Sequence, residues 1–236
     1  MIDYIQERLR QNPDARIRII EIGAGTGGTS VRVLDHLKPY LGHLEDYCYT
    51  DISKAFLVYA EKRFKADYPF ISYKVYNAEA EAAEQGISTD TYDIAIATNV
   101  LHATKNIMQT LHWVKAVLKA DGLLILNEIS DNSLFLHLTF GLLEGWWLFQ
   151  DDTLRLPGGP AVSAEGWKRV LEQEGFKQVR FPAVEDHTKG QQIIMALSNG
   201  HVRQEAAQKQ PAVTTKNYHI EAALKNWMAE HISHAL

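Results

Sequence analysis

The sequence predicts an α/β domain built on a mostly parallel sheet, and three observations carry that expectation. From Arg16 to about Leu197, apolar runs rich in Ile, Val and Tyr alternate with segments of helical period. The last two runs, Lys177 to Val184 and Gly190 to Leu197, are separated by Glu185-Asp186-His187-Thr188-Lys189, which leaves no room for a crossover helix and forces an antiparallel pair. A chain of 236 residues that is 46% hydrophobic can bury the core of one such domain without a staple.

Taken in order, a helix is expected over 2–11, and the run Ile17-Arg18-Ile19-Ile20-Glu21-Ile22 reads as the first strand, 17–22. A helix over 28–40 leads to a strand at 46–51, a helix over 53–65 and a strand at 70–76. The stretch 79–85 reads as a short helix and Tyr92-Asp93-Ile94-Ala95-Ile96-Ala97-Thr98 as a buried strand, 92–98. A helix over 105–119, a strand at 122–129, helices over 132–149 and 163–174, and strands at 177–184 and 190–197 complete the series. The segment 134–149 is apolar on all sides, with Phe135, Leu138, Phe140, Leu142, Leu143, Trp146 and Trp147, as expected of a buried helix.

Composition narrows the function classes. A net charge of -5 describes a mildly acidic protein and argues against a broad nucleic-acid or anionic-membrane surface. Cys48 is the only cysteine, so an internal disulfide is impossible, a thiolate-rich metal site is excluded, and a cytoplasmic setting fits. No metal is expected. The N-terminal Met1-Ile2-Asp3-Tyr4 lacks the basic start and apolar run of a signal peptide, and the apolar 132–149 stretch is interrupted by His137 and Glu144, so no membrane span is expected.

Chemistry concentrates first at Ile19-Ile20-Glu21-Ile22-Gly23-Ala24-Gly25-Thr26-Gly27-Gly28-Thr29-Ser30, a strand, a glycine-rich turn and a helix start. Glycines let the backbone bend sharply and a ligand lie against it, while a helix N-terminus offers free N–H groups. Gly23, Gly25 and Gly28 also satisfy the dinucleotide fingerprint, so on this motif alone a nicotinamide enzyme must be weighed against other nucleoside-cofactor enzymes. Asp51, closing the second strand in Thr50-Asp51-Ile52-Ser53, can accept both hydroxyls of a ribose in either case. Asn77 and Ala78 follow the third strand; Asn77 also suits a turn, and Ser53 a helix N-cap.

Further motifs carry a family resemblance over residues 16–198. Glu21, two residues before the first glycine, resembles the acidic residue of methyltransferase motif I. Asn99-Val100-Leu101-His102-Ala103-Thr104 after the fourth strand, Phe140-Gly141-Leu142-Leu143-Glu144-Gly145-Trp146-Trp147, and Phe56-Leu57 after Thr50-Asp51-Ile52-Ser53 resemble the methyltransferase domains of modular polyketide synthases. The resemblance implies a Rossmann-like class I methyltransferase fold, with a seven-stranded, mostly parallel sheet, a C-terminal antiparallel hairpin whose last strand inserts between its predecessors, and helices on both faces. It implies S-adenosylmethionine (SAM) as cofactor, contacted by Glu21, Gly23, Gly25, Gly27, Asp51, Ile52, Asn77, Ala78 and Asn99. It makes His102 and Glu128 a catalytic pair, the imidazole as base and the carboxylate as its partner, and makes the 134–149 region a cover for the acyl substrate, with Trp147 and Phe149 packing or lining.

The reaction so implied is methylation of the α-carbon of a β-ketoacyl thioester. Its partners would be the acyl carrier protein that holds it on a phosphopantetheine arm and the neighbouring synthase domains. Methylation of a β-hydroxyl or enol oxygen, a catalytically silent domain and a nicotinamide oxidoreductase are the alternatives. Domains of this family ordinarily carry a helical lid before motif I, whereas about sixteen residues precede it here, so an excised fragment or a lidless variant is expected. Residues 199–216 have the composition of a linker. Beyond it, 217–236 reads as an amphipathic helix through Ile220, Leu224, Trp227, Met228 and Ile232, either folded back on the core or opening a carrier domain.

Overall fold

The computed structural model describes residues 1–202, apart from the side chain of Asp186. The helix expected over 217–236, and all but the first residues of the expected linker, lie outside the described residues.

The chain opens with helix α1 (Ile2–Gln11), strand β1 (Ile17–Ile22), helix α2 (Gly28–Leu37) and strand β2 (Leu44–Asp51). Helix α3 (Lys54–Phe64), strand β3 (Ile71–Val75), strand β4 (Tyr92–Thr98), helix α4 (Ile107–Val117) and strand β5 (Leu118–Ile129) follow. A short helix α5 (Leu134–Thr139), helix α6 (Ala164–Gln173) and strands β6 (Phe176–Arg180) and β7 (Gln191–Ser198) complete the described part. Among the described residues seven strands form one sheet in the order β3-β2-β1-β4-β5-β7-β6. Strands β1 to β5 pair parallel, and β7 runs antiparallel to both β5 and β6. The expected hairpin is therefore present, with the last strand inserted between its predecessors.

The strands are apolar at successive positions because both faces of the sheet are covered. Ile17, Ile19, Tyr47, Tyr49, Ile94 and Ile96 pack with Ile5 of α1, Leu34 and Leu37 of α2, and Phe64 of α3. Ile20, Ile22, Ala95, Ala97, Leu124 and Leu126 face the other way, toward Leu111 and Val114 of α4 and Trp167 and Leu171 of α6. Strand order reverses at β1: the chain runs outward through β2 and β3, then returns to β4 on the other side. The carboxyl ends of β1 and β4 therefore part, opening the crevice in which such sheets bind ligands.

Two expected helices do not form as such, and side chains explain both. The stretch 79–85 is reduced to a 3-10 turn at Ala83–Gln85. There the Gln85 amide donates to the carbonyls of Asn77, Ala80 and Glu81, which a helix would have offered to its own N–H groups, and Asn77 Oδ1 accepts from Glu79 N at 3.0 Å. The stretch 132–149 is broken into α5 and two 3-10 turns, Phe140–Leu142 and Glu144–Trp147. Gly141 and Gly145 are poor helix formers, and Trp147 Nε1 donates at 2.8 Å to the Gly141 carbonyl that a continuous helix would use. Smaller differences lie at strand ends. Strand β5 begins at Leu118, with Asp121 in the left-handed region (φ 59°), and β6 stops at Arg180, short of Pro182, which has no N–H to give a ladder.

Candidate active site

Strand β1 delivers the glycine turn to the crevice. Gly23, Gly25 and Gly27 all adopt positive φ (63°, 58° and 79°), the region open to residues without a Cβ. A Cβ on Gly23 would lie 2.5 Å from Cγ2 of Val100, so the turn is packed directly against the segment that follows β4. At Gly25 the same atom would meet nothing within 4 Å. The outer side of the turn is thus an open cradle. Its inner side is tied down: Ala24 N donates to Thr50 O at 2.9 Å, and Tyr49 OH donates to Gly25 O at 2.8 Å.

Asp51, at the end of β2, is 6% exposed. Its Oδ2 accepts from Gly25 N at 2.9 Å and its Oδ1 from Ser53 N at 2.8 Å. A carboxylate has about four acceptor positions, so about two remain for hydroxyl donors. Ile52 beside it keeps 71% of its surface open, an apolar face at the rim of the crevice. Asn77 is exposed, and its peptide is held on both sides by Gln85, whose Oε1 accepts from Asn77 N at 2.8 Å; Ala78 is buried. Glu21 lies beneath the turn, 2% exposed, its Oε2 accepting from Ser30 Oγ and Tyr47 OH, each at 2.6 Å. Burial pushes its carboxyl above the usual glutamate range, against the opposing pull of those two hydroxyls. Through Ser30 it fixes the first turn of α2. Ser53 stands at the N-cap of α3 without a side-chain cap bond.

The segment after β4 begins with Asn99 in the left-handed region (φ 54°), its N–H donating to Asn127 O at 2.7 Å. His102 and Glu128 then meet. They come from the carboxyl ends of adjacent strands and are 4% and 0% exposed, and Nδ1 of the imidazole is hydrogen-bonded to Oε2 of the carboxylate. The carboxylate accepts further from three successive backbone donors, Val100 N at 3.2 Å, Leu101 N at 2.9 Å and His102 N at 3.3 Å. A carboxylate can only accept, so Nδ1 carries the proton and the lone pair of the neutral ring is on Nε2.

The apolar segment covers this pair with one residue. Trp146 is 5% exposed and meets the His102 ring edge to face, 6.0 Å between centroids. Phe140 stacks on Trp146, and His137 stacks on Trp147. It is Trp146, rather than Trp147, that touches His102, while Phe149 lies under the Arg155 guanidinium, 5.5 Å from it. Most of the segment is not buried as expected: Phe135, Leu138 and Leu142 are 70%, 64% and 80% exposed. Burial reduces the basicity of His137.

Sequence reasoning passed over Gln85, Glu79, Asp151 and Arg155. Glu79 Oε1 accepts from Lys105 N at 2.7 Å and so joins the turn after β3 to the one after β4. The one local signal was charge, an Asp-Asp-Thr-Leu-Arg run, 151–155, inside an otherwise apolar stretch. Among the described residues no group of three His, Cys, Asp or Glu is arranged to hold a metal ion, and no helix is long and apolar enough to cross a membrane.

The glycine turn, the acid with spare acceptor positions on the next strand and the crevice between β1 and β4 suit a nucleoside cofactor, and the antiparallel last strand inserted between β5 and β6 gives the sheet the class I methyltransferase fold. Known proteins agree: residues 20–124 match a family described as a methyltransferase domain. Over 92% of its length the chain is 55% identical to polyketide synthase PksR of Bacillus subtilis (strain 168), of which it spans 9%. The solved carbon methyltransferase of DszA superposes with a TM-score of 0.77 at 40% identity, over 84% of this chain and 53% of that one. The trans-methyltransferase CalH, solved in complex with SAH, gives 0.68 at 36% identity, over 80% of this chain and 52% of that one. The chain therefore spans about half the length of these solved relatives and under a tenth of the synthase. The chain is thus similar over most of its length to methyltransferase domains of polyketide synthases.

Proposed function

We propose that this domain methylates the α-carbon of a β-ketoacyl thioester carried on the phosphopantetheine arm of an acyl carrier protein, within the cytosol and beside other synthase domains. The observation that carries the reading is the buried His102–Glu128 pair. A carbon between a ketone and a thioester must lose a proton before it can act as a nucleophile. The Nε2 lone pair of His102 takes that proton, breaking the C–H bond and leaving its electron pair delocalised as an enolate. Glu128 then faces an imidazolium and stabilises it through Nδ1, and the three backbone N–H groups on the carboxylate prevent it from turning away.

SAM, when bound, supplies an electrophilic methyl group on a sulfonium. In this reading Gly23, Gly25 and Gly27 let it lie against the turn, Asp51 accepts its ribose hydroxyls, and Ile52, Asn77 and Ala78 surround its adenine. Glu21 acts from beneath, through Ser30, and Asn99 at the end of β4 borders the methionine end. With cofactor and acceptor both held, alignment does most of the remaining work. Part of the 134–149 segment lies along the acyl chain, with Trp146 against the base.

The test is mass spectrometry of a carrier-bound β-ketoacyl substrate after incubation with SAM. A gain of about 14 mass units, one CH2 per methylation, located by fragmentation on the α-carbon is the expected result. The same gain on oxygen would make the domain an O-methyltransferase, and no gain with any β-ketoacyl carrier would overturn the reading.

A further inference from the structure

We infer that Arg155 is a positioning residue for the base: its guanidinium grips the carbonyl side of the His102 segment while Glu128 grips the N–H side. The inference rests on the reading of His102 as base. Arg155 is 7% exposed, and its side chain makes four hydrogen bonds. Nη1 donates to His102 O at 2.6 Å and to Pro160 O at 2.9 Å, Nη2 donates to Thr104 O at 2.9 Å, and Nε donates to Asp151 Oδ1 at 2.5 Å. The other oxygen of Asp151 accepts from Ile107 N at 2.8 Å, at the first residue of α4, and Gln150 N donates to Lys105 O at 2.8 Å.

The residues between β4 and α4 hold only a three-residue 3-10 turn, Leu101–Ala103, and no strand ladder receives the carbonyls of His102 and Thr104. Left unpaired in a buried place, each would be costly. Arg155 satisfies both at once, with Nη1 on His102 O and Nη2 on Thr104 O held in the fixed spacing of a planar fork that a flexible ammonium lacks. The peptide of His102 is therefore held at its nitrogen by Glu128 and at its oxygen by Arg155, which fixes the ring's axis relative to the acceptor side. Arg155 also stands on the stretch that follows Trp146, so the wall against the imidazole and the imidazole itself share one anchor. A buried cation is an expensive anchor, and Asp151 offsets that cost locally.

The test uses Arg155→Lys, which keeps the charge and loses the fork, and Asp151→Asn, which keeps the shape and loosens the anchor. Methylation of a carrier-bound β-ketoacyl substrate is measured together with SAM affinity by calorimetry, each also in a His102→Ala background. Arg155→Lys should lower kcat about ten-fold or more, the scale of a lost charged hydrogen bond, with SAM affinity unchanged within about two-fold. Asp151→Asn should lower kcat in the same sense and by less. Neither should reduce the residual rate of His102→Ala further, because a residue that acts through the imidazole has nothing left to position. A near-native kcat in a folded Arg155→Lys, or an equal loss with and without the imidazole, overturns the inference and leaves the base reading intact. A near-native rate in His102→Ala itself overturns the base reading, and this inference with it. If Arg155→Lys does not fold, Asp151→Asn decides between the same outcomes.

Discussion

The two sides of the crevice are built differently. On the side proposed for the cofactor, turns are closed by hydrogen bonds: Gly25 is held by Tyr49 and Asp51, Asn77 by Gln85, and the first turn of α2 by Glu21 through Ser30. On the side proposed for the acceptor, the covering segment is held by its own local hydrogen bonds and stacked rings, and Phe135, Leu138, Phe140, Leu142 and Leu143 stand largely in solvent. Between the two runs the His102 segment, pinned from three directions by Glu128, Glu79 and Arg155. A ligand that is always the same rewards rigid, pre-paid geometry, whereas an apolar cover needs only area and tolerates change of shape.

The contrast can be broken most forcefully at its centre. In the proposed mechanism His102→Ala removes the base and touches neither the glycine turn nor Asp51, so methylation should fall by about two to four orders of magnitude while calorimetry still reports SAM binding. Glu128→Gln should cost less, since an amide can orient the ring without stabilising its positive form. On the cofactor side the expected loss is one of affinity. Asp51→Ala should weaken SAM binding by about 1.5 to 3 kcal/mol, and unchanged affinity would remove Asp51 from the site.

Two glycines sharpen the comparison within the cofactor side itself. Gly23→Ala forces a Cβ against Val100 at a positive φ, so it should destabilise the fold by more than the roughly 1 to 2 kcal/mol of backbone strain alone, read as a lowered melting temperature. Gly25→Ala carries the same strain but meets open space, so its further effect should be on SAM affinity. Equal affinity losses in the two variants would mean that the cradle is not where the cofactor lies. The smallest effect is expected on the acceptor side, where Leu142 is 80% exposed. Leu142→Ser should change stability by no more than about 0.5 kcal/mol and leave SAM binding untouched, as thermal melts and calorimetry can check.

The sequence by itself determined the elements that depend on local pattern. Ile17–Ile22 reads as a strand because both of its faces are apolar, the glycines after it announce a sharp turn, and five residues between the last expected strands permit only an antiparallel pair. The pairing of His102 with Glu128 was legible through a family likeness, since 26 positions separate them and nothing in either neighbourhood points to the other. The breaks in 79–85 and 132–149 are local, made by Gln85 and Trp147 bonding nearby carbonyls and by Gly141 and Gly145, none of which apolar periodicity records. Tertiary structure alone decided the rest. Arg155 reads in the sequence as one more surface charge; it becomes an anchor because folding brings two unpaired carbonyls, 53 and 51 residues away, within reach of its planar fork.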